Sequence, residues 1–342
     1  MSCRDTAPSR QGHSSRSAWR YGQSVDAHRP VLRRTCGRGT SRRIISAVNG
    51  GGRPLDDSLR EVIEARLRGL REPLGEYSPS EWSFDNLYLF RRARNWCFAD
   101  TPLPHLRGRG YDGSLQLIAL CELGQADKEA LRDLQGEDSW FCPIPESSLE
   151  RLDPTAFEWH TMRDDADYLY QAASFREYAG VGLGSKRAAV ERLRNRFSLQ
   201  VRNLDGSARD MAMDVLEGWC RDKGSQADGA DAMECREALN LLGQPAANQS
   251  FFGYLHIADD SPAGFVLCEQ INPAVVVVRF SKGLQRFDGI FPLMYQHLAR
   301  QTDRVVRWIN FEQDLGRGNF RRSKLSFHPA RLLYKYRVRV RS

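Results

Sequence analysis

Between residues 251 and 280 the sequence carries three runs rich in β-branched and aromatic residues, 251–257, 264–271 and 274–280, parted only by Asp259-Asp260-Ser261-Pro262 and Asn272-Pro273. Runs joined by turns that short read as an antiparallel meander, and a fold must be built around it. Two helical patterns precede it: 209–223, with Met211, Val215, Leu216 and Trp219 on one face, and 232–242. A helix over about 289–301, a strand over 305–309 and a further strand over 331–340 follow it. Nearer the N-terminus, the cap cluster Asp56-Asp57-Ser58 opens an amphipathic helix carrying Leu59, Val62, Ile63, Leu67 and Leu70. Strand-like runs at 115–120, 157–162 and 167–171 come next, and a glycine-rich turn then opens a helix that runs to about residue 197. One α/β unit is complete by residue 200, so two halves are expected, 54–200 and 201–342.

Length agrees with that division, since 342 residues exceed what one hydrophobic core usually organises. The longest aliphatic run, Val275 to Val278, is far below the roughly 20 residues that span a bilayer, so no transmembrane helix is expected. Eight cysteines without a C-x-x-C pair read most simply as reduced cytoplasmic thiols. The net charge of +7 is concentrated at one end: residues 1–53 hold 11 Arg and 2 Asp, leaving the remaining chain at −2. Such a segment cannot bury enough surface to order itself, and it reads as a basic arm, a transit peptide or a mis-called start. A near-neutral body gives little support to a nucleic-acid-binding surface, although a local cleft can be basic within it.

Two stretches carry candidate chemistry. Gly180, Gly182 and Gly184, followed by Lys186 and Arg187, could turn backbone N–H groups toward a phosphate at a helix N-terminus. The Walker spacing is missed, because Gly180 and Gly184 are one residue too close and Ser185 intrudes before Lys186, and the competing reading is a plain strand-to-helix connection with solvated charges. The second stretch follows the apolar run 305–309: Asn310, Glu312 and Asp314, then Arg321, Lys324, His328 and Lys335. Acids beside bases can hold an amine and a phosphate or ester together, or can form a structural ion-pair network. The seven histidines show no H-x-x-x-H spacing, so no sequence-local metal site is expected, and only His328 lies inside the dense segment.

The residues Trp308-Ile309-Asn310-Phe311-Glu312-Gln313-Asp314-Leu315-Gly316, continuing through Arg321-Arg322-Ser323-Lys324-Leu325-Ser326-Phe327-His328-Pro329 to Lys335-Tyr336, resemble the closing motif of the phosphatidylglycerol lysyltransferase C-terminal-domain family. Residues 83–90 and 168–197 are similar to its opening and central stretches, so the resemblance spans about 75–340 and leaves 1–53 outside. It implies an α+β fold of two tandem GCN5-related acyltransferase-like halves, mixed sheets flanked by helices, to which the element order of the second half also points. Characterised members move an aminoacyl group from tRNA to a lipid hydroxyl, which makes aminoacyl-tRNA the implied donor and a lipid, peptide or small molecule the acceptor.

On that resemblance Asp314 or Glu312 would bind the donor's α-ammonium or accept the acceptor's proton, and Asn310 would orient the carbonyl. Arg321, Lys324 and Lys282 would hold phosphate and stabilise the oxyanion, with Lys335, Lys186 and Arg187 as further substrate contacts and His328 as a further catalytic candidate. Two departures are visible. Phe291 in Arg286-Phe287-Asp288-Gly289-Ile290-Phe291 replaces a small residue of the coenzyme-A-binding turn, which argues against coenzyme A in this half. Ser281 stands where the family commonly shows an acid before Lys282. The rival readings are a non-catalytic module that binds RNA or an anionic membrane, and an acetyltransferase using the first half's glycine turn for coenzyme A.

Overall fold

The computed structural model describes residues 52–224, 229–242 and 250–341. The expected basic tail lies outside them but for its last two residues. Fourteen strands occur among the described residues. In chain order they are β1 (Arg53–Pro54), β2 (Cys97–Ala99), β3 (His105–Arg109), β4 (Leu115–Ala119), β5 (Ser139–Pro145), β6 (Phe157–Thr161), β7 (Asp167–Gln171), β8 (Leu199–Asn203), β9 (Phe251–Ala258), β10 (Ser261–Asn272), β11 (Val275–Gly283), β12 (Trp308–Asn310), β13 (Arg331–Leu333) and β14 (Lys335–Val340). The α-helices of the first part are α1 (Arg60–Arg71), α2 (Phe84–Leu89), α3 (Arg91–Arg94), α4 (Lys128–Gln135) and α5 (Glu146–Leu149). They are followed by α6 (Ala172–Glu177), α7 (Gly184–Arg196), α8 (Arg209–Lys223), α9 (Ala230–Leu241), α10 (Ile290–Gln301) and α11 (Gly318–Leu325).

The strands form two seven-stranded mixed sheets, ordered β1-β2-β3-β4-β5-β14-β6 and β13-β7-β12-β11-β10-β9-β8. The meander is present as β9–β10–β11, paired antiparallel with Leu267 opposite Phe280 and Phe265 opposite Lys282. β12 then pairs parallel with β11, placing Asn310 beside Val277. Helix α10 lies across one face of the meander, burying Met294 and Leu298, and α8 and α9 cover the other with Val215, Leu216 and Leu239. Close packing of α10 explains the glycines beneath it: a Cβ on Gly264 or Gly283 would lie 2.8 or 2.7 Å from Ile290.

The expected division at residue 200 does not coincide with the division between the sheets. β7 and β8 belong to the second sheet, and the chain leaves the first sheet near residue 162. The single strand expected over 331–340 is two strands of opposite allegiance. β13 extends the edge of the second sheet against β7, and after Tyr334 the chain crosses to insert β14 between β5 and β6 of the first. Hydrophobic period cannot distinguish these cases, because the run 331–340 reads as one strand in the sequence and only the sheet that receives each part differs. The run expected as a strand from 305 begins only at Trp308, since Asp303 accepts the Val305 N–H (3.0 Å) and the Val306 N–H (3.0 Å) in a turn.

Candidate active site

Asn310 closes β12 fully buried. Its Nδ2 donates to Asp167 Oδ2 (3.0 Å), and its Oδ1 accepts the backbone N–H of Glu312 (2.7 Å). This pair of bonds turns the chain out of the sheet and holds Glu312 at φ 56, a left-handed conformation that a residue with a Cβ seldom adopts. Two residues on, the buried Asp314 carboxylate accepts from Tyr168 Oη (2.6 Å), from Arg321 Nε (2.8 Å) and from the Gly316 N–H (2.9 Å), with Arg163 at 3.3 Å. Burial alone would raise its pKa, but Arg321, Tyr168 and Gly316 outweigh it and hold the carboxyl down at about 2. Lys324, on α11, reaches back and donates to the carbonyls of Phe311 (2.6 Å), Glu312 (3.2 Å) and Gln313. Burial pulls its pKa down to about 8 in spite of Glu312.

Behind this loop the two sheets are joined by buried ion pairs. Lys335 enters from β14 and donates to Glu81 Oε1 (2.7 Å) and Asp167 Oδ1 (2.7 Å), while Gln313 also donates to Glu81. Arg279, from the middle of β11, donates to Glu269 on β10 (2.7 Å), to Glu312, and to the carbonyl of Ser80 (2.8 Å). Four carboxylates therefore share two cations. Burial, opposed by Lys335 and assisted by Asp167, pushes the Glu81 carboxyl up to about 7.

This network forms the floor of a cavity of about 940 Å³ between the two sheets. Glu81, Glu312, Lys324 and Lys335 reach it from the floor, Arg94 and Tyr111 from the first part of the chain, and Trp219, Glu234, Phe280 and Lys282 from the meander side. Glu234 has no hydrogen-bond partner among the described residues, and burial, offset by Arg94, pushes its carboxyl up to about 7.

Of the residues singled out in the sequence, Glu312, Lys282, Lys324 and Lys335 line this cavity. Asn310, Asp314 and Arg321 sit behind its wall and hold the loop in shape; Arg321 also pairs with Asp164. The glycine turn is elsewhere. Gly182, at φ 80, packs so closely on His328 that a Cβ would lie 2.3 Å from Nε2, Lys186 donates to Ser326 Oγ (2.8 Å), and Arg187 to the Tyr178 carbonyl (3.4 Å). None of Gly180, Gly182, Gly184, Lys186, Arg187 and His328 lines the cavity. Arg279, Glu269, Glu81, Asp167 and Glu234 went unnoticed in the sequence. A signal existed for two of them: Glu269 and Arg279 are opposite charges inside otherwise apolar neighbouring strands.

Coenzyme A would have to place its pyrophosphate at the turn before α10. A Cβ on Gly289 would lie 2.5 Å from the Ala189 carbonyl, the Ile290 N–H already donates to Phe287 (3.0 Å), and Pro292 has no N–H. With Phe291 filling the adjoining space, converging donors for a pyrophosphate are missing, and the residues do not fit that cofactor.

A family model described as phosphatidylglycerol lysyltransferase, C-terminal, matches residues 73–339. The chain belongs to this family. No curated protein matches the sequence. Among solved structures, a conserved protein of unknown function from Bacteroides thetaiotaomicron superimposes with a TM-score of 0.71 at 20% identity, covering 85% of this chain and 99% of that one. L-PGS from Bacillus licheniformis gives 0.52 at 12%, with 84% and 93% covered, and FemX gives 0.54 at 7%, with 82% and 96% covered. At these identities the likeness is one of fold. Family and fold together make this member of the phosphatidylglycerol lysyltransferase C-terminal family an acyltransferase-like protein. No helix among its described residues is long and apolar enough to cross a membrane.

Proposed function

We propose that this protein transfers an aminoacyl group from aminoacyl-tRNA to a hydroxyl or amine of a lipid, peptide or small molecule. The observation that carries the reading is the cluster of buried acids beneath the cavity, where Glu81, Asp167, Glu269 and Glu312 form salt bridges with only Arg279 and Lys335 and where Glu312 reaches the cavity wall. A carboxylate at the wall of a low-dielectric cavity favours a ligand ammonium, and the α-ammonium of an aminoacyl ester supplies one. Glu312 is the acid of this set held at the cavity wall by backbone bonds, so it is the group to meet that ammonium. In the transfer, the acceptor's O–H or N–H bond breaks and its heteroatom bonds to the ester carbonyl carbon. The bond from that carbon to the ribose oxygen breaks, and the ribose oxygen takes up the proton. The ester is already activated, so holding it against the acceptor supplies much of the rate.

Asn310, Asp314 and Arg321 act in this reading as positioning residues for the Glu312 loop. The test offers mixed radiolabelled aminoacyl-tRNAs and a lipid and peptide extract to the full chain. Transfer of label is expected, with kcat/KM lowered about 10- to 100-fold by Glu312→Gln, the loss corresponding to one charge-assisted contact. Arg279 keeps Glu269 in that variant, so its fold is retained. Label that stays on tRNA with the intact chain, while tRNA or liposomes bind, would replace transfer by the non-catalytic binding reading.

A further inference from the structure

Helix α9 carries three acids, Asp231, Glu234 and Glu237, each about one turn from the next. The outer two are taken, Asp231 by Arg317 and Glu237 by Arg91 (2.6 Å) and Arg92 (3.4 Å). The middle one is not. Glu234 lines the cavity and has neither a hydrogen-bonding nor an ionic partner among the described residues; Arg94, on α3, acts on it only through space. Each other acid that lines the cavity is committed to a cation: Glu312 to Arg279, Glu81 to Lys335, Asp165 to Arg337 and Asp231 to Arg317. A carboxylate bonded to a buried cation must give up that bond to take up a proton, so it stays a standing charge. One without such a bond gains and loses a proton at little cost.

We infer that Glu234 is the general base of the cavity, drawing the proton from the acceptor that receives the aminoacyl group. The assignment rests on the transfer reading and fills a step that reading leaves open. As the acceptor's heteroatom bonds to the ester carbonyl carbon, its proton passes to a carboxylate oxygen of Glu234. As the bond from that carbon to the ribose oxygen breaks, Glu234 gives the proton to the ribose oxygen and is a carboxylate again. Burial, opposed by Arg94 and assisted by Asp231, with Arg317 and Glu312 contributing less, holds the carboxyl at about 7, where both forms are populated near neutral pH. Glu312, bonded to Arg279, keeps the separate task of meeting the donor's ammonium.

The test follows label transfer by the full chain from about pH 5.5 to 8.5. Protonating the base removes it, so kcat/KM should fall on the acid side of about pH 7. Glu234→Gln should lower kcat about 100- to 10,000-fold and flatten that acid limb, while Glu234→Asp keeps the limb and part of the rate. The melting temperature of Glu234→Gln should match the parent's, because Gln replaces a side chain that holds nothing else in place. An undiminished rate in Glu234→Gln would overturn the proposal, as would an acid limb that persists in it, which would place the titration in Glu81, or a marked loss of its melting temperature, which would make Glu234 structural. A parent chain that transfers nothing removes the transfer reading and this base together; transfer that Glu234→Gln leaves untouched removes the base alone.

Discussion

At His256, on β9, both ring nitrogens are buried without a hydrogen-bond partner, 5.3 Å from the ring of His297 on α10. Burial, reinforced by His297, pushes the imidazole pKa down to about 3. An unfolded histidine takes up its proton near pH 6.5, so between about pH 6.5 and 3 the unfolded chain binds a proton that the folded one refuses. Stability is therefore full above that window and falls with acid, by at most about 1.4 kcal/mol per pH unit from this residue. Urea unfolding at pH 7 and pH 5 should show a lower midpoint at pH 5, and His256→Leu should narrow the gap. An equal gap in the variant would assign the acid sensitivity to other groups. Asp314 works in a separate window: with its carboxyl held at about 2, its contribution is present above about pH 4 and lost as pH falls toward 2.

Among the elements, β14 has the largest consequence for its length. It sits between β5 and the edge strand β6 of the first sheet, yet its first residue, Lys335, is the counter-ion of Glu81 and of Asp167 on the second sheet's β7. Removing the cation leaves two buried carboxylates facing each other, so Lys335→Met should cost about 3–5 kcal/mol in denaturant unfolding. Adding Glu81→Gln and Asp167→Asn should recover a large part of that loss; no recovery would place the effect in packing instead. The meander and helices α8 and α10 were legible because each carries one period over eight or more residues. The crossing at Tyr334 was not, because it is decided by which sheet has an unfilled place. Within the site, Glu312 stood out as an acid just past an apolar strand, and Lys282 only through the family resemblance. The bonds that remove Asp314 and Arg321 from the cavity come from Tyr168, Arg163 and Asp164, about 150 residues away, and no local pattern announces them.

For the whole molecule, the strand exchange makes the sheets one cooperative unit. Residues 54–200 alone lack β14, which leaves β5 with an open edge and β6 with no neighbour, and they carry β7 and only the first two residues of β8, without the sheet that receives them. That fragment should fail to fold, giving poorly dispersed amide resonances, whereas the intact chain should unfold in one transition. A well-dispersed spectrum from the fragment would show that the first sheet closes without its late strand. The same topology has a bearing on synthesis. Every other strand of both sheets leaves the ribosome before β14 does, so while the chain is being made, Glu81 and Asp167 await the lysine that neutralises them and β6 has no strand to pair with. A message cut short anywhere before codon 335 yields a product with an open edge and surplus acid at its centre. Such a product exposes an unpaired strand edge, and no chain that stops before Lys335 can present a finished cavity.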